Sequence, residues 1–154
     1  MVEFGKLLKL LTSHFNVYVF PSSQDPTTAS YPLAPINPLL LGIPSAERLH
    51  LCGGPCMISA NGVKYCIIFN HSSVLVSETA MYDGWASMIP HAVDINTLID
   101  FGLYSRLLCP TAPDSHCTFP FQERDPFILT GTPEIAVFSN GKAPSIRKVE
   151  DTII

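Results

Sequence analysis

The residues of this 154-residue chain that could do chemistry are mainly cysteines and histidines. His50, Cys52 and Cys56, with Cys66 as a fourth candidate ligand, raise the question of a zinc site. Cys52 and Cys56 are separated by Gly-Gly-Pro, which is a Cys-x3-Cys spacing and not the Cys-x2-Cys spacing of structural zinc sites. The matched second pair of such sites is also missing. This pattern favours cysteines buried on strands over zinc ligands.

A second candidate is His116 next to Cys117, with Asp114 close by, which would be the residue types of a nucleophilic thiol and its base. Adjacent side chains rarely point at each other, so the pair is a weak catalytic signal. None of the serines lies in a Gly-x-Ser-x-Gly elbow, and no glycine-rich phosphate loop occurs. We therefore expect no catalytic residue and no cofactor.

Composition narrows the class of protein. With 47% hydrophobic and 14% charged residues, the chain has enough apolar material for one globular domain. A net charge of −4 and only nine Lys and Arg leave no basic stripe for phosphates, which disfavours direct nucleic-acid binding. Five cysteines without a regular framework suggest free thiols in a reducing compartment. The apolar run at 7–11 is interrupted by Lys9 and is too short to span a bilayer.

The elements that must position these residues are a mixture of helices and strands, with runs of strands between and after two helices. An amphipathic helix opens the chain, with its apolar residues expected to face the core, and a second helix is predicted from about Asp94 to Arg106. Asn61-Gly62 predicts a hairpin turn that leads into a strand over 63–69. The other predicted strands cover 17–20, 49–52, 57–60, 127–129, 135–138 and 146–149.

Two proline-rich segments interrupt these elements. Six prolines between 21 and 44 exclude regular structure over most of that segment, which predicts a long surface loop. Four prolines between 109 and 127 fix φ and push each preceding residue towards extended geometry, which predicts a rigid loop. Rigid loops lose little entropy on binding, so both segments are candidate contact surfaces.

The second of these segments resembles the family of small (B) subunits of eukaryotic DNA polymerase delta. The matching residues, in the same order and at about the same spacing, are Pro110, Thr111, Ala112, Pro113, Asp114, Cys117, Pro120, Phe121, Asp125, Pro126 and Phe127. The first segment carries a second match, in Phe20-Pro21, Asp25-Pro26 and the run 33–38. Two matches in the right order make the resemblance specific.

The resemblance implies an α/β fold that is part of a calcineurin-like metallophosphoesterase β-sandwich flanked by helices. Active members hold two metals with a Gly-His-x-His motif after a late strand. At the matching position this chain has Ser139, Asn140, Gly141 and Lys142. Asparagine cannot replace two imidazoles, and a lysine ammonium would be repelled by the metals. Asn70-His71 is a further metal-ligand candidate, but Phe69 precedes it where the family has Gly. An inactivated, metal-free domain is therefore expected.

As a single domain over 1–154, the chain would correspond to the later part of the phosphoesterase-like domain, without the oligonucleotide-binding domain of the family. The implied function is a nuclear, non-catalytic scaffold that contacts the C-terminal cysteine-rich region of the polymerase catalytic subunit. A third polymerase subunit is a further candidate partner, DNA would be met only indirectly, and no membrane is involved. An active metal-dependent phosphoesterase and a small subunit of polymerase alpha or epsilon remain alternatives. Part of a sandwich would also leave sheet edges and an apolar face open, which predicts pairing with another chain.

Overall fold

The computed structural model describes residues 2–22, 25–43, 46–68, 95–110, 112–114, 117–120, 123–138 and 146–154. Within these ranges it contains three helices and seven strands. The helices are α1 (Val2–Thr12), α2 (Pro38–Leu41) and α3 (Ile95–Ser105). The strands are β1 (Val17–Val19), β2 (Leu49–Leu51), β3 (Cys56–Ala60), β4 (Val63–Ile68), β5 (Ile135–Phe138), β6 (Lys148–Val149) and β7 (Thr152–Ile153).

The strands form two sheets. A five-stranded mixed sheet has the order β3-β4-β5-β7-β6, with β4 parallel to β5 and β5 parallel to β7. The antiparallel pairs β3-β4 and β6-β7 close its two ends. Separately, β1 and β2 form a two-stranded parallel sheet in the register Val17↔Leu49. The expectation of a mixed α and β fold is confirmed, whereas the phosphoesterase sandwich stays a prediction.

The β3-β4 hairpin forms as predicted. Asn61 and Gly62 adopt positive φ values of 52° and 82° between the paired residues Ala60 and Val63. Two consecutive left-handed residues match the twist of the flanking strands, which is why Asn-Gly is favoured there. Local turn chemistry alone therefore determines this part of the sheet.

Helix α1 is confirmed, but the expectation that its apolar side faces the core is wrong for most of that side. Leu8 is buried, and Gly5 and Thr12 are buried beside it. The exposed apolar residues of α1 and the turn after it are Phe4, Leu7, Leu10, Leu11 and Phe15. A Cβ on Gly5 would lie 1.8 Å from the Leu41 carbonyl oxygen, so α2 meets the helix along this one edge.

Helix α2 lies inside the segment that was predicted to lack regular structure. The Asn37 side chain accepts a hydrogen bond from the Leu39 N–H at 3.0 Å, and Pro38 occupies the first helical position. Gly42, at φ 68°, ends the helix by donating its N–H to the Leu39 carbonyl. Asparagine before proline and glycine after the last turn are helix-boundary signals that sequence reasoning overlooked.

Several other predicted elements need correction. The predicted strand at 127–129 is a turn followed by an isolated bridge between Leu107 and Ile128. The one predicted at 146–149 is reduced to β6, which pairs with the unpredicted β7 across a turn at Glu150, where φ is 51°. Strand β1 is half-buried rather than buried.

Helix α3 confirms the predicted second helix, with Asp94 outside the described residues. It ends where Arg106 turns to φ 57° and donates its N–H to the Leu103 carbonyl. Gly102 is buried within the helix. None of the helices described is long and apolar enough to cross a membrane.

Two apolar clusters hold the described residues together. The Phe127 cluster consists of Leu98, Ile99, Leu108, Cys109, Phe127 and Leu129. The Leu41 cluster consists of Leu8, Ile36, Leu41 and Ile43, with the apolar residues of β1 and β2 packed against it. The second proline-rich segment contributes Cys109 to the Phe127 cluster, and the first contributes Ile36, Leu41 and Ile43 to the Leu41 cluster and packs Tyr31 against the Phe127 cluster.

Candidate protein-binding site

The two proline-rich segments, here called the first proline loop (21–44) and the second proline loop (109–126), lie side by side. The Tyr31 N–H donates to the Cys117 carbonyl, and the Phe119 N–H donates to the Tyr31 carbonyl, both at 2.9 Å. The Ser30 hydroxyl and the Cys117 thiol are 3.2 Å apart. Segments that are 87 residues apart in the chain thus form one continuous surface.

The first proline loop is also hydrogen-bonded to the connection between β2 and β3. Leu33 exchanges two backbone hydrogen bonds with Gly54, at 2.9 and 3.1 Å, in the connection between β2 and β3. A Cβ at Gly53 would lie 2.6 Å from the Leu33 carbonyl oxygen, so the contact requires glycine. Leu33 itself is buried. The first proline loop is therefore bonded both to the β2-β3 connection and to the second proline loop.

Asp25 organises the beginning of the first proline loop. Its carboxylate accepts the Ser22 N–H at 2.8 Å, while its own N–H donates to the Ser22 carbonyl at 3.1 Å. Further along, the Thr27 hydroxyl donates to the Ala34 carbonyl, and the Ala34 N–H donates to the Thr28 hydroxyl. Side chains satisfy the backbone groups here, which gives the loop a defined shape without regular structure.

Asp125 does the same for the second proline loop. Its carboxylate accepts the Phe127 N–H at 2.8 Å, and its carbonyl accepts the Ile128 N–H at 3.3 Å. This turn directs Phe127 into the core, where only 1% of the residue is exposed. Because the turn uses the Phe127 N–H, the segment does not continue as the strand that was predicted. The Asp-Pro-Phe motif thus acts as a structural anchor.

Cys109 of the second proline loop lies in the Phe127 cluster, and Tyr31 of the first proline loop packs against the same cluster. Cys109 is only 5% exposed, and burial raises its pKa to about 11, with Asp125 adding to the rise and the Ala112 N–H opposing it. Burial and the neighbouring Cys109 also raise the pKa of Tyr31. Both groups therefore stay protonated at neutral pH and pack as neutral side chains.

The remaining motif residues lie as follows. Ala112 and Pro126 are half-buried, while Thr111, Phe121 and the stretch 139–142 lie outside the described residues. The described residues of the paired loops that are exposed are Pro26, Ala29, Pro35, Asn37, Leu39, Leu40, Gly42, Pro110, Pro113, Asp114, Cys117, Phe119, Pro120, Glu123 and Arg124. This surface is mostly apolar and rich in proline, and its exposed charged residues are Asp114, Glu123 and Arg124. It has the composition of a surface that contacts another protein, with Phe119, 45% exposed, as the largest apolar side chain among the residues described there.

The candidate zinc ligands are only partly brought together. The His50 ring stacks on Tyr18 with centroids 4.6 Å apart, and nothing is described of the Cys66 side chain. Cys52 and Cys56 do lie beside each other, since Cys52 contributes to the raised pKa of Cys56. Across the described parts of the chain, no group of three or more His, Cys, Asp or Glu side chains could hold a metal ion.

The other chemical candidates remain untested or have structural partners. His116 and the pair Asn70-His71 lie outside the described residues. Cys117 is held against Ser30, as given above, and Asp114 is exposed. No catalytic arrangement is formed by the described members of these sets.

Sequence reasoning missed one feature next to the second proline loop. An open groove of about 380 Å³ lies between the start of β3 and the turn at Asp125. Met57 and Ile128 contribute apolar surface and Arg124 contributes a charge. The groove depends on the distance between residues that are far apart in sequence, so no local pattern could have indicated it.

Three curated relatives are similar to the chain over most of its length. A DNA polymerase delta small subunit from Saccharomyces cerevisiae is 26% identical over 176 residues, covering 97% of this chain and 35% of its own length. Proteins of the same name from Oryza sativa subsp. japonica and Arabidopsis thaliana are 24% and 22% identical, and each match covers 90% of this chain. Those two matches cover 30% and 29% of the relatives' own lengths. The chain thus spans about a third of the length of the curated relatives it matches.

A family-level match agrees with these relatives. Residues 2–148 match the B-subunit family of DNA polymerases alpha and epsilon. The matched range includes both proline loops and every motif residue on which the resemblance was based. The predicted resemblance to polymerase B subunits is confirmed, and the chain belongs to the DNA polymerase alpha/epsilon B-subunit family.

Proposed function

We propose that this chain acts as a non-catalytic accessory subunit of a nuclear replicative DNA polymerase of the delta class. In this role it binds the C-terminal cysteine-rich region of the catalytic subunit and supports DNA replication by holding the complex together. The observation that carries the proposal is the family match over residues 2–148, together with relatives named as delta small subunits. The calcineurin-like sandwich is part of the same proposal.

The paired proline loops are the proposed contact surface. Their backbone groups are already bonded to one another and to Gly54, so binding would order few further residues. Phe119 lies beside Pro120 on this surface, and a half-exposed aromatic residue next to rigid backbone is typical of a binding hot spot. The surface is mostly apolar and exposes two acidic residues, Asp114 and Glu123, against the one basic residue Arg124, which suits contact with a protein and not with the phosphates of nucleic acid.

The proposed absence of catalysis is supported by the residues after β5. Ser139, Asn140, Gly141 and Lys142 stand where active phosphoesterases of this fold have a histidine pair. None of them supplies an imidazole, and the lysine adds a positive charge that disfavours bound cations. The loops that carry the family motifs use their carboxylates for turns, as Asp25 and Asp125 show.

Co-purification tests the proposal directly. The chain is expressed with the C-terminal cysteine-rich region of its own organism's delta catalytic subunit, and capture of the complex is measured. We expect stable capture of the wild-type chain, with capture weakened about tenfold or more by Phe119→Ser, because truncation of a hot-spot residue costs about 2 kcal/mol or more. Phe15→Ser is the matched control, since Phe15 is 64% exposed but lies in the turn after α1 and not in either proline loop.

The other outcomes are equally informative. Capture by the alpha or epsilon catalytic subunit and not by delta would reassign the complex. Stoichiometric manganese or zinc on the chain alone, with phosphodiester turnover, would replace the scaffold by an active phosphoesterase. Equal capture of both phenylalanine variants would move the contact surface away from the paired proline loops.

A further inference from the structure

Strand β3 is an edge strand of the five-stranded sheet, and β4 is its partner on the inner side. Ala60 pairs with Val63 across the two-residue turn Asn61-Gly62, so these two form a hydrogen-bonded pair. Hydrogen-bonded and non-hydrogen-bonded pairs alternate along an antiparallel ladder. The backbone N–H and carbonyl groups of Met57 and Ser59 therefore point away from β4, towards the outer edge of the sheet.

These outward groups are available for pairing. In the part of the chain that the structure describes, no backbone group bonds to them, and the Met57 carbonyl has only the Cys56 thiol near it, at 3.7 Å. A thiol is a weak donor, so this contact is easily replaced by a backbone N–H. Met57 and Ser59 are also the two exposed residues of β3. The outer edge of β3 thus presents donors and acceptors at the spacing of another strand.

The two ends of the sheet differ in how they are protected against pairing. Strand β6, at the opposite end, has two residues, and one of them is Lys148. A very short edge strand and an edge lysine both disfavour the addition of another strand. Strand β3 has five residues, Cys56–Ala60, without a charge or a proline. An uncharged edge of this length favours the addition of a strand from another chain.

The open groove of about 380 Å³ next to the second proline loop supplies side-chain contacts at the start of this edge. Met57 lines it, together with Ile128, which is 48% exposed. Arg124 also lines the groove, is exposed, and forms no ion pair with a described residue. The neighbouring carboxylates of Glu123 and Asp125 are not among the lining residues. The groove therefore suits an apolar side chain beside a carboxylate.

We propose that the outer edge of β3 binds an extended segment of a partner protein as an added antiparallel strand, with an apolar residue in the groove and an acidic residue on Arg124. Antiparallel pairing is the more stable of the two directions. In this direction the C-terminal end of the segment lies at the start of β3, so the apolar and acidic residues belong at that end. Backbone hydrogen bonds provide affinity, and the groove and Arg124 provide specificity.

Fluorescence anisotropy with the full chain tests this proposal. The probe is a labelled peptide of sequence Thr-Val-Thr-Val-Thr-Leu-Asp-Asp, for which we expect saturable binding. Replacing both aspartates of the peptide by lysine should weaken binding about tenfold or more, because the charge-assisted contact with Arg124 is lost. Methylating the backbone nitrogens of alternate peptide residues should weaken binding for one set and spare the other, because only every second N–H of an added strand faces β3.

Variants of the chain test the two parts of the site separately. Ser59→Pro removes an outward N–H but leaves the bonds to β4 in place, since proline is tolerated where an edge N–H faces outward. We expect it to weaken peptide binding about tenfold, whereas the matched control Ser59→Thr retains the N–H and should bind within about twofold of wild type. Arg124→Glu should reverse the preference, so that the lysine peptide binds more tightly than the aspartate peptide. Circular dichroism checks that each variant is folded.

The proposal is overturned if the wild-type chain shows no saturable binding, or binds the aspartate and lysine peptides equally. Equal binding of the unmethylated peptide and both methylated sets would also overturn it, because strand addition requires the backbone N–H groups. Light scattering tests another occupant of the edge, since a dimer that Ser59→Pro abolishes would replace the partner segment by a second copy of this chain. None of these assays uses a polymerase subunit, so their outcome does not depend on the proposed accessory function.

Discussion

The two apolar clusters of this chain are completed in different ways. The Phe127 cluster takes Leu98 and Ile99 from α3, and Tyr31 and Ala112 from the two proline loops pack against it. The Leu41 cluster also borders a helix, yet α1 contributes only Leu8 to it. Much of the apolar side of α1 stays exposed. A helix that loops pack against, like α3, therefore contributes more residues to a core than a helix that meets the core along one edge, like α1.

The largest effect is expected at the centre of the better covered cluster. Phe127→Ala should lower the free energy of unfolding by about 3–5 kcal/mol, because the side chain is 1% exposed and its removal leaves a cavity. Urea denaturation followed by circular dichroism measures the change. Phe119→Ala, on the exposed part of the same loop, serves as the control and should cost less than about 1 kcal/mol. Equal costs would show that the second proline loop does not anchor through Phe127.

Leu41→Ala probes the other cluster in the same assay. We expect a loss of about 2–4 kcal/mol, since Leu41 is also 1% exposed but lies in a smaller cluster that can partly collapse. Leu39→Ala is the matched control on α2, because Leu39 is exposed and its truncation should change stability by less than about 0.5 kcal/mol. A larger loss than for Phe127→Ala would reverse the ranking of the two clusters.

Gly5→Ala tests whether α1 meets α2 along the edge described. Alanine at an exposed interior helix position normally stabilises by up to about 1 kcal/mol relative to glycine. Here the new Cβ would lie 1.8 Å from the Leu41 carbonyl oxygen, so we expect destabilisation by about 1–3 kcal/mol. Leu10→Ala, on the exposed side, should be close to neutral. A stabilising Gly5→Ala would contradict this packing.

Alkaline titration probes the Phe127 cluster through Cys109. Its folded-state pKa is raised from 9.0 to about 11, so the folded state retains this proton when the unfolded state has lost it. Stability from this group is therefore full below pH 9.0 and is lost as the pH rises towards about 11. We expect a loss of roughly 1–2 kcal/mol across this window, allowing for solvent screening. The slope should be smaller in Cys109→Ala, and identical slopes would count against the buried thiol.

The smallest effect concerns the turn that aims Phe127 into the core. Asp125→Ala should cost about 1 kcal/mol, because the Phe127 N–H loses its side-chain acceptor. Asp125→Asn retains a side-chain oxygen and should recover most of the stability in the same denaturation assay. If alanine and asparagine behave alike, the carboxylate hydrogen bond does not hold the turn.

The elements that sequence reasoning predicted correctly are those with local causes. The Asn61-Gly62 turn follows from the left-handed backbone that these two residues adopt easily. The presence of α1 follows from its apolar spacing, but its buried edge does not, since that edge depends on the approach of Leu41 to Gly5. The strand predicted at Phe127 failed because a side chain two residues earlier takes the backbone N–H.

The sequence by itself determined the family, through the order and spacing of its motif residues. It also determined the proline-rich segments and the local turns, because the backbone preferences of proline, glycine, asparagine and aspartate act between neighbouring residues. Only the tertiary structure decided that Tyr31 pairs with Cys117 and Phe119, and that Leu33 pairs with Gly54. Contacts between distant segments depend on how whole elements pack, and packing is a property of the assembled core.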